Sequence, residues 1–375
     1  MKYPEFCPNP LCKLHKKDHH MKNWYKKQGY YLTKAFGYVQ RYICNYCMKW
    51  FSSQTFSIDY YAKVVINYRE LLKKLVSTSN IRDISRDFKV TTSTVANKIS
   101  RLARQAIAVH EELKGFITKK QDLVADGFES YCVSQYYPNN INLLVCKDSQ
   151  YLYYTNYVTI RRKGRMRAYQ KARRMELEKK YSAPYKGIES YFYDLLYEAA
   201  EYQEKFPNQQ LTLYTDEKRE YAWAMKKHRK ISECIDKNKF KHIKISSKKA
   251  RTRTMPLFAV NYLDRQIRKD CANHVRETVC FAKNVNCLMD RLMIYLMYHN
   301  YMKAYREKER RKHEYTHAQE AGIEKKKIQK AMKTVFTRRR FVTLEKVTGF
   351  MKNLWNRQLF TPLKNKLEFV PKYAC

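Results

Sequence analysis

The chain has 375 residues, with 76 Lys+Arg against 35 Asp+Glu and a formal charge of +41. A balance this lopsided repels itself unless a polyanion lies close by, so nucleic acid is the expected partner and salt should weaken binding steeply. No apolar run reaches the roughly 18 residues of a membrane span and no signal-peptide pattern follows Met1, which argues against a membrane partner or a secreted protein.

The length allows about two or three domains. Eleven cysteines are an odd number, and outside two close pairs they are scattered, which suits free thiols in a reducing cytoplasm better than a disulfide framework. The 33 Tyr and 17 Phe provide material for large cores, and only 8 Gly are present, so the chain is not a flexible low-complexity one.

The first pair is Cys7 and Cys12, in CPNPLC, and the second is Cys44 and Cys47, in RYICNYCMKWFS. Two short-spaced pairs joined by a linker that returns as a hairpin bring four thiolates to one point, the donor set of a structural Zn²⁺ with no open position. Gly29 and Gly37 are placed to turn that hairpin. His15, His19 or His20 is an alternative to one of the sulfurs. Lys16, Lys17, Lys22, Lys26, Lys27, Lys34, Arg41 and Lys49 alternate with Tyr and Trp here, as expected of a phosphate-gripping surface. The metal unit is taken as 1–56.

Residues 59–76 have apolar groups at helical spacing. Asn80 then caps a helix through Ile81, Ile84 and Phe88, Lys89 and Val90 turn, and a second helix starts at Thr91–Ser93 with Val95, Ile99 and Leu102 inward. Its outward face is expected to carry Thr92, Ser93, Thr94, Asn97, Lys98, Arg101 and Arg104. Two short helices with polar and basic groups opening the second make a helix-turn-helix, whose second helix enters the major groove of double-stranded DNA. This unit is taken as 57–115.

From residue 118 the character becomes α/β. QDLVAD is a β run ending in Asp126, 141–160 reads as a strand, a turn and another strand, and LTLYTD is a β run ending in Asp216. A very basic helix or loop covers 161–181, a helix 188–206, a strand 242–246, a basic loop 248–256 and a long helical stretch 257–308. Arg161, Arg162, Arg251 and Arg253 are expected to line a DNA channel. Strand ends at a sheet edge are where ligands bind, and two carboxylates side by side call for a divalent cation, Mg²⁺ or Mn²⁺, of the kind that activates water or a 3′-hydroxyl. That is the arrangement of ribonuclease H-like nucleotidyl transferases. Residues 303–340 read as a basic helical tail.

Taken together, the order of parts resembles the small bacterial insertion-sequence transposases that carry a zinc ribbon, a helix-turn-helix and a DDE catalytic domain. The similarity runs through Gly29, Gly37, Arg41-Tyr42, Cys44, Cys47 and Phe51-Ser52, through VAD at Asp126 and LYTD at Asp216, and through VNYLDRQIRKDCANHVRETVCFAKNV at 260–285. The resemblance implies an α/β fold. A ribonuclease H-like mixed-sheet catalytic domain (118–308) would follow the zinc ribbon and helix-turn-helix, with a helical C-terminal extension (309–375). It implies DNA strand cleavage and transfer by an enzyme that binds terminal inverted repeats and target DNA. It further implies at least a dimer on DNA, in a bacterial cytoplasm at the nucleoid. In the family a glutamate completes the metal site; here that position is Asn261, and Asp264, one turn on along the same helix face, is the alternative. A binding regulator with a dead catalytic domain is the competing expectation, and the uncharged Asn261 favours it.

Overall fold

The computed structural model describes residues 4–17, 20–246, 248–250, 252–275, 278–306 and 315–364. It is an α/β protein with two sheets. The first is antiparallel and three-stranded: β1 (Tyr25–Thr33), β2 (Gly37–Cys44) and β3 (Trp50–Ser52), in that order. Gly37, at φ +64°, closes the β1–β2 hairpin in the left-handed region, and Gly29, at φ +68°, sits where the β1 register shifts. Only glycine enters that region without a Cβ penalty.

Three helices follow, α1 (Tyr68–Leu75), α2 (Ile81–Asp87) and α3 (Thr92–Lys114). The helix expected over 59–76 begins only at Tyr68, because Asn67 caps it by accepting from the Arg69 and Glu70 amides. Asn80 caps α2 as its sequence position suggests, accepting from the Arg82 and Asp83 amides, and Thr91 accepts from the Thr94 amide to start α3. Lys89 makes the turn between them at φ +51°. From Lys98 to Val109 every residue of α3 is buried, so α3 is a central helix of the molecule as well as the second helix of a helical pair.

The second sheet has five strands in the order β6-β5-β4-β7-β8. β4 (Leu123–Tyr131), β5 (Pro138–Cys146) and β6 (Leu152–Thr159) form an antiparallel meander, while β7 (Leu211–Thr215) and β8 (Phe240–Lys244) run parallel to β4. The parallel strands need helical crossovers. These are α4 (Ala168–Lys180) and α5 (Gly187–Glu204) before β7, and α6 (Arg219–Lys227) and α7 (Arg229–Asp236) before β8. α5 packs on β5 and β6, and α8 (Phe258–Asp270) on β4 and β5. The long helix expected over 257–308 is two helices: α8 ends at Asp270, and α9 (Val285–Tyr301) restarts where Asn284 caps it by accepting from the Cys287 amide. The apolar stripe of α9, Val285, Leu288, Met289, Leu292, Tyr295 and Leu296, is buried against the core.

The expected basic tail is built into the protein over its described part. α10 (His317–Glu320), α11 (Lys325–Thr334) and α12 (Gly349–Trp355) bury Ile328, Val335, Phe336, Phe350, Met351, Leu354 and Trp355. The connecting segment returns to the first sheet. Thr337 O accepts from the Ile58 amide, Phe341 stacks edge-on against Phe6, and Thr343 hydrogen-bonds His15. Hydrophobic residues at helical spacing within a lysine-rich stretch drive this docking.

Candidate functional site

The four cysteines converge. The turn at Cys44 is closed by Met48 N–H to Cys44 O and Cys44 N–H to Lys49 O, and the first pair sits on a turn closed by Cys12 N–H to Asn9 O. All four sulfurs lie within 4.8 Å of one another and can hold a metal ion such as zinc. Cys7 and Cys47 are 3.6 Å apart, and Cys12 and Cys44 are 3.9 Å apart. A tetrahedral Zn²⁺ with Zn–S bonds of about 2.3 Å has sulfur–sulfur edges of about 3.8 Å, so the donor set fits that ion. Burial pushes the Cys7 thiol far above its ordinary range. At Cys47, burial pushes the same way but is outweighed by hydrogen bonds from Asn9 and the Lys49 backbone, which bring the thiol down to about 7. Trp24 stacks on Phe51 beside the sulfurs and seals them in a small core. His15 is not among the donors: Nδ1 bonds Cys7 O at 2.7 Å and Nε2 bonds Thr343 at 2.6 Å. His20 is exposed, and His19 lies outside the described residues. The lysines named above and Arg41 are exposed around this unit, and the Arg41 guanidinium lies over the rings of Tyr31 and Trp50.

The helical pair departs from expectation along half its outward face. Thr92, Ser93 and Asn97 are exposed and Thr94 is half-buried, so the first turn of α3 is open to a ligand. Lys98, Arg101 and Arg104 point inward. Lys98 pairs with the buried Asp59, Arg101 donates to the Ile58 and Tyr60 carbonyls, and Arg104 donates to Trp355 O at 3.1 Å. Buried cations need such partners, and segments distant in sequence supply them. These three residues hold α3 in place and are withdrawn as DNA contacts.

The β run expected to end in Asp126 does not end there: Asp126 is the fourth residue of β4, which continues to Tyr131 because its second half pairs with β5, whereas Asp216 is the first residue beyond β7. The parallel register pairs Leu123 with Leu213 and Ala125 with Thr215, so one step further it brings Asp126 and Asp216 side by side. The Gly127 amide donates to Asp126 Oδ1 at 2.6 Å, and the Lys218 amide donates to Asp216 Oδ1 at 3.1 Å. Gly127 lies in the row beside Asn142 and Asn156, whose side chains hydrogen-bond each other at 2.8 Å on the face covered by α5. A Cβ at Gly127 would come within 1.9 Å of Asn140 Oδ1, so a larger residue after Asp126 would force the Asn140 side chain to shift. Alternation along the strand then sends Asp126 and Phe128 to the opposite face. α8 covers that face, with Arg268 lying 4.4 Å from the Phe128 ring centre.

A residue that the sequence reading passed over sits between the two acids. Lys218 Nζ is 3.2 Å from Asp126 Oδ1, 3.5 Å from Asp216 Oδ2 and 3.3 Å from the Tyr221 hydroxyl. Burial raises the Asp216 carboxyl above its ordinary range; the Lys218 ammonium opposes this and the Asp126 charge adds to it. The signal was available in Asp216-Glu217-Lys218: two like charges on adjacent strands need a cation, and a lysine two residues on can supply one.

Asn261 and Asp264 both lie on α8, half-buried. The Asp264 carboxylate accepts from Arg268 Nε at 3.2 Å, and Arg268 also donates to the carbonyls of Glu129 and His274. Glu129 and Glu217 are exposed. His274, His299 and Asn300 are buried packing residues; Asn300 bonds both the amide and the carbonyl of Leu152 at the sheet edge. Arg161 is held by Glu178 through two hydrogen bonds of 2.8 and 3.1 Å, and Arg162 is half-buried over Tyr136. Arg253 is exposed, and Arg251 lies outside the described residues. No helix among the described residues is long and apolar enough to cross a membrane.

Compared with known families, curated proteins and solved structures, the chain matches no family model, no curated protein and no solved structure.

Proposed function

We propose that the chain is a metal-dependent DNA transposase. The observation that carries this reading is the pair of carboxylates, Asp126 within β4 and Asp216 just beyond β7, brought side by side on adjacent parallel strands of a mixed sheet. A five-stranded mixed sheet with this pair on neighbouring interior strands is what the ribonuclease H-like resemblance calls for, and the four-cysteine unit is what its zinc ribbon calls for. The donors are hard oxygens with part of their surface open to solvent, and this chemistry fits Mg²⁺ or Mn²⁺. When bound, such an ion supplies Lewis-acid activation of a phosphodiester and of the attacking hydroxyl.

The chain's own groups do the rest. Asp126 and Asp216 hold the ion, each with one oxygen fixed by a backbone amide. Asn261 or Asp264 on α8 would complete the site; Asp264 is paired with Arg268 and is not grouped with the two acids among the described residues, which leaves Asn261 the less committed of the two. The basic and aromatic hairpin and the open first turn of α3, at Thr92, Ser93, Thr94 and Asn97, grip the DNA duplex, with Arg161, Arg162 and Arg253 as further phosphate contacts. Two element ends held together require at least two copies of the chain on DNA.

A second reading is a DNA-binding regulator with an inert catalytic domain. Asn261 brings no negative charge and the single Lys218 ammonium already offsets part of the charge of the acid pair, which favours it. Nicking of supercoiled plasmid in Mg²⁺ or Mn²⁺ separates the two readings. Nicking by the wild-type chain that both Asp126→Ala and Asp216→Ala abolish supports the enzyme. DNA binding without nicking in either ion supports the regulator.

A further inference from the structure

Two carboxylates side by side on neighbouring strands, half-withdrawn from water, repel each other unless a cation lies between them. Among the described residues, the side chain within ion-pair distance of both Asp126 and Asp216 is Lys218. It is not a surface lysine that happens to lean over. Its backbone follows Asp216 by two positions and forms the N-cap of α6, and its side chain is 28 % exposed. Its ammonium has three oxygen partners from three different residues, the third being the hydroxyl of Tyr221, which is fully buried on α6. The short tether and the fixed tyrosine hold the charge in one place.

We propose that Lys218 is an internal cation that keeps the acid pair aligned before metal arrives and that a divalent cation has to displace. The inference rests on the reading of Asp126 and Asp216 as metal ligands. The Lys218 ammonium already lies against Asp126 Oδ1 and Asp216 Oδ2, so a Mg²⁺ or Mn²⁺ held by these two carboxylates would have to take its place. Metal binding is therefore an exchange of cations and is weaker than the two carboxylates alone would make it. The tether keeps the displaced ammonium at the same sheet edge, where the anion delivered to the site is a DNA phosphate. Lys218 is thus a positioning residue.

The test is Mn²⁺ titration of the zinc-loaded full chain, followed by the loss of the free-Mn²⁺ electron paramagnetic resonance signal. Wild type, Lys218→Gln, Asp126→Asn and the double variant Lys218→Gln/Asp126→Asn are compared. Lys218→Gln should bind Mn²⁺ at least about tenfold more tightly than wild type, corresponding to the loss of about one pK unit of competing charge interaction, and Asp126→Asn should abolish the site in both backgrounds. The melting temperature gives a second readout that needs no activity. Without divalent ions Lys218→Gln should melt below wild type, and saturating Mn²⁺ should raise its melting temperature by more than it raises that of wild type. Equal or weaker Mn²⁺ binding in Lys218→Gln, with the site still lost in Asp126→Asn, overturns the exchange and leaves the acid pair as a metal site. Binding that is the same in all four proteins overturns the acid pair as a metal site, and the exchange with it.

Discussion

Gly127 shows how one residue without a side chain shapes the site. Its amide fixes one oxygen of Asp126, and its missing Cβ makes room for Asn140, which is fully buried and hydrogen-bonded to Asn142. Gly127→Ala should lower stability by about 1–3 kcal/mol through overpacking and should weaken divalent-ion binding at Asp126. Urea unfolding and a Mn²⁺ titration check the two effects, and an unchanged urea midpoint would show that Asn140 yields without cost. Asp216 was legible in the sequence because it closes a short β run, and Asp126 because it follows the apolar start of one; that β4 continues past Asp126 to Tyr131 was not legible, since its pairing with β5 sets that length. Lys218 was not read, because its importance depends on Asp126, which lies 92 positions away.

At the scale of the element, α3 divides between two tasks. Its first turn is exposed and polar, while the remainder is a core helix whose cations are neutralised from within the protein. Lys98→Met should leave Asp59 buried with, among the described side chains, the Tyr68 hydroxyl as its remaining partner, costing about 3–5 kcal/mol. Asn97→Ala should leave stability within about 0.5 kcal/mol and reduce DNA affinity. Urea unfolding and a gel-shift titration of both variants distinguish these outcomes; the reverse pattern would return Lys98 to the DNA surface. The caps at Asn80 and Thr91 were readable because capping is a rule about adjacent residues. The inward turn of Lys98, Arg101 and Arg104 was not, since their partners Asp59, Tyr60 and Trp355 come from the segment before α1 and from α12. The division of 257–308 into α8 and α9 has a local mark in the Asn284 cap, but the helical periodicity on both sides obscures it.

The four-cysteine unit is also an element with distant support. Phe6, His15 and Lys17 meet Phe341, Thr343 and Glu345. A chelator strong enough to strip zinc should therefore loosen both 4–56 and 337–345. Hydrogen–deuterium exchange with mass spectrometry should show protection lost in both segments together, with β4–β6 retaining theirs. Loss confined to the first segment would mean that the contact does not depend on the metal.

For the whole molecule, two physical quantities follow from composition and packing. With a charge of +41, the proposed DNA binding would be a counterion-release process, and its affinity should fall as salt rises. Buried histidines set the response to acid. Burial lowers His110 and His274 to about 3 and His317 to about 4, and it lowers His299 well below the ordinary value. These imidazoles are neutral in the folded chain and take up protons near pH 6.5 when it unfolds, so their contribution to stability is complete above about pH 6.5 and is lost as pH falls below it. Each costs up to about 1.4 kcal/mol per pH unit in that range. The melting temperature should hold level from pH 8 to 7 and drop steadily from 6.5 to 5; a level profile down to pH 5 would mean that the histidines are protonated in the folded state. The return of 315–364 onto the first sheet, α3 and α9 was hidden in the sequence by its lysines, although its apolar residues at helical spacing marked a buried face.

The most direct measurement is strand transfer. The purified chain is given a DNA carrying the sequence that flanks its own gene together with a target plasmid, in Mg²⁺ or Mn²⁺, and joined products are sequenced. Wild type should join the flanking 3′ ends to the target, and Asp126→Ala and Asp216→Ala should bind the same DNA without producing joined molecules. Joining that survives both substitutions would put the chemistry elsewhere in the chain, and binding with no joining by any version would contradict transposase activity.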